Sequence, residues 1–133
     1  MSMDWAKRMS HVALRVVSGL MFFQAGSVKI LDWFGGVPAQ FGGHPAMMSQ
    51  MWIGGMLELV GGAAILLGFL TRPVAFILSG EMAVAYFQFH QPKGFWPVQN
   101  HGEPAVLFCF IFLFFAAHGA GAWSLDAWLR KKR

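Results

Sequence analysis

The most constraining feature of the sequence is an apolar stretch at residues 54–72, GGMLELVGGAAILLGFLTR, which carries a glutamate. It is long enough to cross a bilayer as a helix. Glu58 falls on one helical face with Gly54, Gly61 and Gly68. A charged group in hydrocarbon is costly unless it faces protein or water, and glycines allow the backbone of another helix to come close. The pattern therefore predicts that Glu58 points into a helix bundle.

The composition is typical of a membrane protein. Hydrophobic residues make up 56% of the 133 positions and charged residues only 12%, about half of the roughly 25% found in soluble domains. The net charge of +4 does not indicate nucleic acid as a partner, because the basic residues do not form a stripe interleaved with aromatics. They stand beside apolar segments, as Lys7, Arg8 and residues 130–133 do. The length predicts a single membrane domain over residues 1–133, in contact with the lipid bilayer.

Four apolar segments predict an all-α fold, a four-transmembrane-helix bundle with up-down topology. The predicted spans are residues 11–30, 51–70, 73–90 and 103–122. Residues 1–10 are predicted to form a short amphipathic lead-in at the membrane surface, and residues 31–50 a Gly- and Pro-rich segment along it. Four spans place both termini on one side, and the basic residues near both termini assign that side to the cytoplasm.

The first span has a polar and small face of its own. Arg15, Gly19, Gly26 and Lys29 recur on that face at helical spacing, and Gln24 lies between them at mid-depth. Glycines on facing spans predict close contact between helices. The predicted helix-packing residues are Gly19, Gly26, Gly54, Gly61, Gly62 and Gly68.

Three ionisable groups inside the predicted spans, Arg15, Glu58 and Glu81, most need a partner. Helical rise places Glu81 about 12 Å and Glu58 about 18 Å from the cytoplasmic end, which favours a contact between Arg15 and Glu81. In one interpretation the charges pair and hold the helices in register. In the other they line a polar pocket at mid-membrane, where the two glutamates exchange protons with a ligand. The predicted ligand-binding residues are Arg15, Lys29, Glu58, Glu81 and Gln24.

Histidine sites are less favoured. His11 and His118 both lie near the cytoplasmic ends of their spans, so they are the one pair suited to hold a haem from both sides. A zinc site among His44, His90 and His101 would require the loops to bring them together. We therefore assign no metal site.

Three pieces of the sequence, in order along the chain, are similar to one known family. The first is the R-x3-G-x6-G-x2-K pattern that begins at Arg15. The second consists of ELVGG at 58–62 and LLGFLTR at 66–72, and the third is the C-terminal motif GAGAWSLD at 119–126. The chain resembles the DoxX family of small four-helix bacterial membrane proteins. The resemblance implies a multi-pass protein of the bacterial inner membrane with both ends in the cytoplasm. It also implies a link to respiratory and sulfur redox chemistry, as in the membrane part of thiosulfate:quinone oxidoreductase, and to complexes that defend against oxidative and thiol stress.

The leading hypothesis is an integral-membrane subunit of a respiratory or redox-stress complex that lines a site for a quinone-like ligand. No cofactor is built by this chain, so a partner would supply flavin, haem or thiol, and the chain is at most a non-catalytic or quinone-interacting subunit of an oxidoreductase. The alternative is a membrane scaffold or assembly protein that holds a redox partner, or a second copy of itself, without a ligand of its own. A small transporter is disfavoured because the sequence has no inverted repeat or pair of broken helices.

Overall fold

The computed structural model describes residues 3–132; Met1 and Ser2 of the predicted lead-in and Arg133 of the basic C-terminus lie outside the described residues. Regular structure in the described part is all helical, without strands, which confirms the predicted all-α class. The chain divides into two compact units, residues 3–70 with 120–132 (the first unit) and Thr71–Gly119 (the second unit). The α-helices are α1 (Met3–Ile30), α2 (Gln50–Leu67), α3 (Thr71–Ala85), α4 (Pro97–Asn100), α5 (Glu103–His118) and α6 (Leu125–Lys131).

The first unit is built on the antiparallel pair of α1 and α2. Ser49 caps the start of α2, because its hydroxyl accepts a hydrogen bond from the Trp52 amide at 3.3 Å. Gly68 ends the helix at a φ of 71°, a left-handed conformation that glycine adopts without strain. Residues 31–49 connect the two helices through short 3-10 turns at Trp33–Gly35 and Ala39–Phe41.

The second unit packs α3 against α5. At the middle of this contact the Ser79 hydroxyl donates to the Cys109 carbonyl at 2.7 Å. A π-helical turn, Tyr86–His90, continues α3 into the loop that leads to α5. The loop is held by the buried Asn100, whose amide donates to the Gly94 carbonyl at 2.8 Å and to the Tyr86 hydroxyl at 3.2 Å.

Several helices have other bounds than the membrane spans predicted from the sequence. From Met3 onward the predicted lead-in continues into the first span as one helix, because no capping residue or turn interrupts it. The helix in the second predicted span, α2, ends at Leu67, three residues before the predicted limit of the span, because Gly68 takes the left-handed conformation. The helix in the fourth predicted span, α5, ends at His118 and not at residue 122, because Gly119 leaves the helix at a φ of 79°.

The helices expose apolar side chains. Val17 and Leu20 on α1, Val60 on α2, Phe76 on α3 and Leu107 on α5 are all exposed. Extended apolar surface of this kind is typical of contact with a membrane. Among the described residues, α1 and α2 are the two helices long and apolar enough to cross a bilayer, and α5 is a shorter apolar helix. Four crossings and cytoplasmic termini therefore stay predictions.

Candidate functional site

The main polar contact between α1 and α2 is an ion pair between Lys29 and Glu58. The Lys29 ammonium donates to both carboxylate oxygens of Glu58, at 2.9 Å to Oε1 and 2.8 Å to Oε2. The Glu58 side chain is 7% exposed and that of Lys29 is 29% exposed. The carboxylate is thus enclosed between the helices, while part of the lysine reaches their edge.

Facing glycines bring the two helices close enough for this pair to form. A Cβ atom on Gly19 would lie 2.9 Å from the Gly62 carbonyl oxygen, and one on Gly62 would lie equally close to the Gly19 carbonyl. A Cβ on Gly26 would lie 2.7 Å from the Gly55 carbonyl oxygen. These contacts are shorter than real Cβ atoms tolerate, so the backbones touch at two levels seven residues apart on each helix. Glycine at these positions sets the helix separation.

Arg15, near the other end of the α1 face, binds the C-terminal part of the first unit. It is 2% exposed. Its Nη1 donates to the carbonyls of Ala120 at 2.7 Å and Ala122 at 3.0 Å, and its Nη2 donates to the carbonyl of Trp123 at 2.9 Å. A guanidinium presents several donors in a fixed plane, which suits a turn that offers several closely spaced carbonyls. Arg15 therefore holds residues 120–123 against α1.

The segment after this turn is fastened to the end of α2. The Asp126 carboxylate accepts a hydrogen bond from the Leu70 amide at 2.8 Å, and the Asp126 amide donates to the Gly68 carbonyl at 2.9 Å. The Ser124 hydroxyl caps α6 by accepting from the Ala127 amide at 3.1 Å. In the C-terminal motif, Ser124 thus caps α6 and Asp126 joins α6 to the end of α2.

The structure brings together some of the predicted ligand-binding residues. Lys29 and Glu58 are in direct contact, whereas Arg15 lies fourteen residues before Lys29 on α1, about 21 Å along the helix. Gln24 is exposed on the opposite side of α1 from Arg15. Glu81 is half-buried in the second unit, and the predicted contact of Arg15 with Glu81 would join the two units and stays a prediction.

Of the glycines predicted to pack on α2, Gly62 meets α1 and Gly61 is buried beside it. Gly55, which was not in the predicted set, also meets α1, and the packing role of Gly54 stays a prediction. Gly68 ends the helix, and a Cβ atom there would lie 3.3 Å from the Ala120 Cβ, so Gly68 packs against the C-terminal segment of the first unit.

The histidines make separate local contacts. The His44 Nδ1 lies 2.9 Å from Asp32 Oδ1 in the loop after α1. In the second unit His90 Nδ1 lies 3.0 Å from the Asn100 carbonyl, and the His118 ring stacks on Phe114 with centroids 4.0 Å apart. Within residues 3–132, His, Cys, Asp and Glu side chains do not gather in groups of three or more that could hold a metal ion.

Known proteins similar to this chain agree with the resemblance in its motifs. A family model described as DoxX matches residues 11–91, more than half of the chain and both helices of the Lys29–Glu58 pair. The chain belongs to the DoxX family. Its membership places it among membrane proteins, and the expected family is confirmed.

Three relatives share most of their length with this DoxX chain. A protein of Haemophilus influenzae that is named only as uncharacterized is 42% identical over 90% of both chains. The inner membrane protein YqjF of Escherichia coli is 33% identical, over 89% of this chain and 90% of its own. An uncharacterized membrane protein of Mycobacterium tuberculosis is 29% identical, over 92% of this chain and 83% of its own. No solved structure matches the chain.

The glycine contacts of this DoxX protein predict opposite effects for two alanine substitutions. Gly26→Ala is expected to lower the free energy of unfolding by about 1–3 kcal/mol, because the new Cβ meets the backbone of α2. Gly80→Ala is the matched control, since nothing lies within 4 Å of a Cβ at Gly80 on α3. There the better helix propensity of alanine should be neutral or stabilise by up to about 1 kcal/mol. Unfolding in detergent, followed by circular dichroism, measures both; equal effects would contradict the close contact.

Proposed function

We propose that the chain is a non-catalytic scaffold subunit of a respiratory or redox-stress complex in a bacterial inner membrane. The observation that carries this proposal is that the buried charged groups of the first unit are paired with other groups of the same chain. Both oxygens of Glu58 accept from Lys29, and Arg15 donates to three backbone carbonyls. These are the groups best suited to ligand chemistry, and they are already engaged in holding α1, α2 and the C-terminal segment together.

The redox setting of the proposal comes from what the resemblance to the DoxX family implies. A scaffold needs a rigid core and an outer surface that binds partners. The backbone contacts between the glycines of α1 and α2 form the rigid core. Exposed side chains on both units supply the outer surface, and a redox protein or a second copy of the chain would bind there. Catalytic flavin, haem or thiol would then belong to the partner.

Four crossings with both ends in the cytoplasm form part of the proposal. α3 and the π-helical turn after it run from Thr71 to His90, which at helical rise is about 30 Å. α5 covers about 24 Å, a length that a bilayer accommodates by local thinning. Basic residues near both chain ends favour the cytoplasmic side.

A quinone-like ligand is the second candidate, and the partial exposure of Lys29 favours it. An ammonium has three hydrogen-bond donors, and Glu58 accepts two of them. The third is available to a quinone carbonyl that reaches the edge of the helix pair. Glu58 would then keep Lys29 charged and in position.

One purification distinguishes the two candidates. The full chain and a Lys29→Met/Glu58→Met variant are isolated in mild detergent, and bound quinone, absorbing cofactors and co-purifying subunits are quantified. The apolar double variant removes the pair without leaving an uncompensated charge. A scaffold should retain a stoichiometric partner in both forms, with no bound quinone. Quinone that accompanies the natural chain and is lost from the variant would contradict the scaffold and support the second candidate.

A further inference from the structure

The fold brings the two ends of the chain to the same end of the first unit. Gly121 lies directly against His11 on α1, since a Cβ at Gly121 would be 2.9 Å from the imidazole Nδ1. Lys7 precedes His11 by four residues, about 6 Å along the helix. The basic residues at the start of α1 therefore lie close to the segment that leads into α6, although more than a hundred residues separate them in sequence.

α6 is a short amphipathic helix in a fixed position. Leu125, Trp128 and Leu129 are exposed and share one helical face. Arg130 and Lys131 are exposed in its last turn. The hydrogen bonds of Asp126 to the end of α2 and of Arg15 to residues 120–123 hold this helix in place, so its apolar and basic groups are presented together.

Exposed aromatic and basic side chains occur together at the start of α1 and at the end of α6. On α1, Trp5, Lys7 and Arg8 are all exposed, and Trp5 and Arg8 are three residues apart on one helical face. At the other end the Lys132 ammonium lies 4.2 Å from the centre of the Trp128 ring. Tryptophan favours the headgroup depth of a bilayer, and lysine and arginine attract anionic headgroups there. The acidic side chains of these two segments are Asp4 and Asp126, and Asp126 is hydrogen-bonded to the Leu70 amide.

We propose that the two chain ends together form one binding site for the headgroup of an anionic phospholipid. Cations from α1 and from the end of α6 would contact the phosphate, while Trp5 and Trp128 lie at the level of the glycerol and upper acyl chains. The described cations are Lys7, Arg8, Arg130, Lys131 and Lys132. This proposal requires only that the protein lies in a membrane, and it does not rest on the proposed scaffold role.

An anionic lipid fits this surface better than an acidic protein does. The exposed apolar face of α6 adjoins its basic turn, a pattern typical of helices that lie in the membrane interface. A basic residue near an anionic membrane surface contributes roughly fivefold in affinity. Two removed cations should therefore weaken lipid binding by an order of magnitude or more.

The experiment measures lipid binding to the full chain in detergent by native mass spectrometry. Phosphatidylglycerol is the probe and phosphatidylcholine the uncharged reference. The variants are Lys7→Gln/Arg8→Gln and Arg130→Gln/Lys131→Gln, and Lys93→Gln, an exposed lysine in the second unit, is the matched control. Circular dichroism verifies that helix content is unchanged.

One composite site predicts that either double variant weakens the same first-bound phosphatidylglycerol by at least tenfold, while Lys93→Gln leaves its affinity unchanged. Three outcomes would overturn the proposal. They are equal binding of the two lipids by the natural chain, an equal loss in Lys93→Gln, and two separately bound lipids of which each double variant removes a different one. Salt-sensitive capture of an acidic protein without lipid preference would assign the surface to a protein partner instead.

Discussion

Replacing Lys29 by methionine is expected to lower the free energy of unfolding by about 3–5 kcal/mol, the usual cost of leaving a buried charge without its partner. Glu58 would keep its place between α1 and α2 with both oxygens unsatisfied. The reverse change, Glu58→Gln, should cost less, about 1–3 kcal/mol. Lys29 is the more exposed member of the pair at 29% against 7%, so its ammonium can turn toward the surface.

The pair also predicts recovery in a double variant. Lys29→Met/Glu58→Met should regain most of the stability lost in Lys29→Met, because apolar side chains of similar size replace buried ion pairs without loss. Lys7→Met, on an exposed part of the same helix, is the matched control and should change stability little. The measurement is denaturant unfolding in detergent. If Glu58→Gln lowers the free energy of unfolding more than Lys29→Met does, the expectation that the buried carboxylate depends on Lys29 is contradicted.

Replacing Arg15 by methionine is expected to release the C-terminal segment of the first unit and to lower the free energy of unfolding by about 3 kcal/mol or more. The change removes three hydrogen bonds from a charged donor, each of which contributes about 1.5–3 kcal/mol, and part of that loss is offset by water or local rearrangement. Hydrogen exchange measures the release, because the Leu70 and Ala127 amides should lose protection.

Two variants test the cause of this effect. Arg8→Met removes an exposed arginine of the same helix and should leave exchange at Leu70 and Ala127 unchanged. Arg15→Lys keeps the charge but lacks the planar fork, and it should restore only part of the protection. Full protection in Arg15→Met would show that Asp126 and Ser124 hold the segment without Arg15.

The helical face of α1 could be predicted from its sequence, whereas the partners of its charges could not. Spacing alone placed Arg15 and Lys29 with Gly19 and Gly26 on one face, which is buried at Arg15 and at both glycines. The depth estimate then considered Arg15 as the cation for a buried glutamate and overlooked Lys29. Lys29 lies at the end of α1, and its long side chain extends along the start of α2 to Glu58. A depth calculated from helical rise gives the position of the backbone and leaves out the length of the side chain.

One sequence signal could have given the correct register of α1 against α2. Gly19 and Gly26 are seven residues apart, and Gly55 and Gly62 repeat that spacing on the next span. Aligning the two pairs in antiparallel order predicts the observed backbone contacts. The partners of Arg15 carried no such signal, because backbone carbonyls of a loop have no residue type by which a sequence pattern could identify them.

The hydrogen bonds of Arg15 also set an order of events during synthesis of the chain. Its acceptors are made 105, 107 and 108 residues later, which at 5–20 residues per second is a delay of about 5–20 s. Throughout that interval α1 carries a guanidinium whose final partners do not yet exist. A nascent chain that stops before Ala120 never acquires them, so in such a chain Arg15 lacks all three of these carbonyl partners.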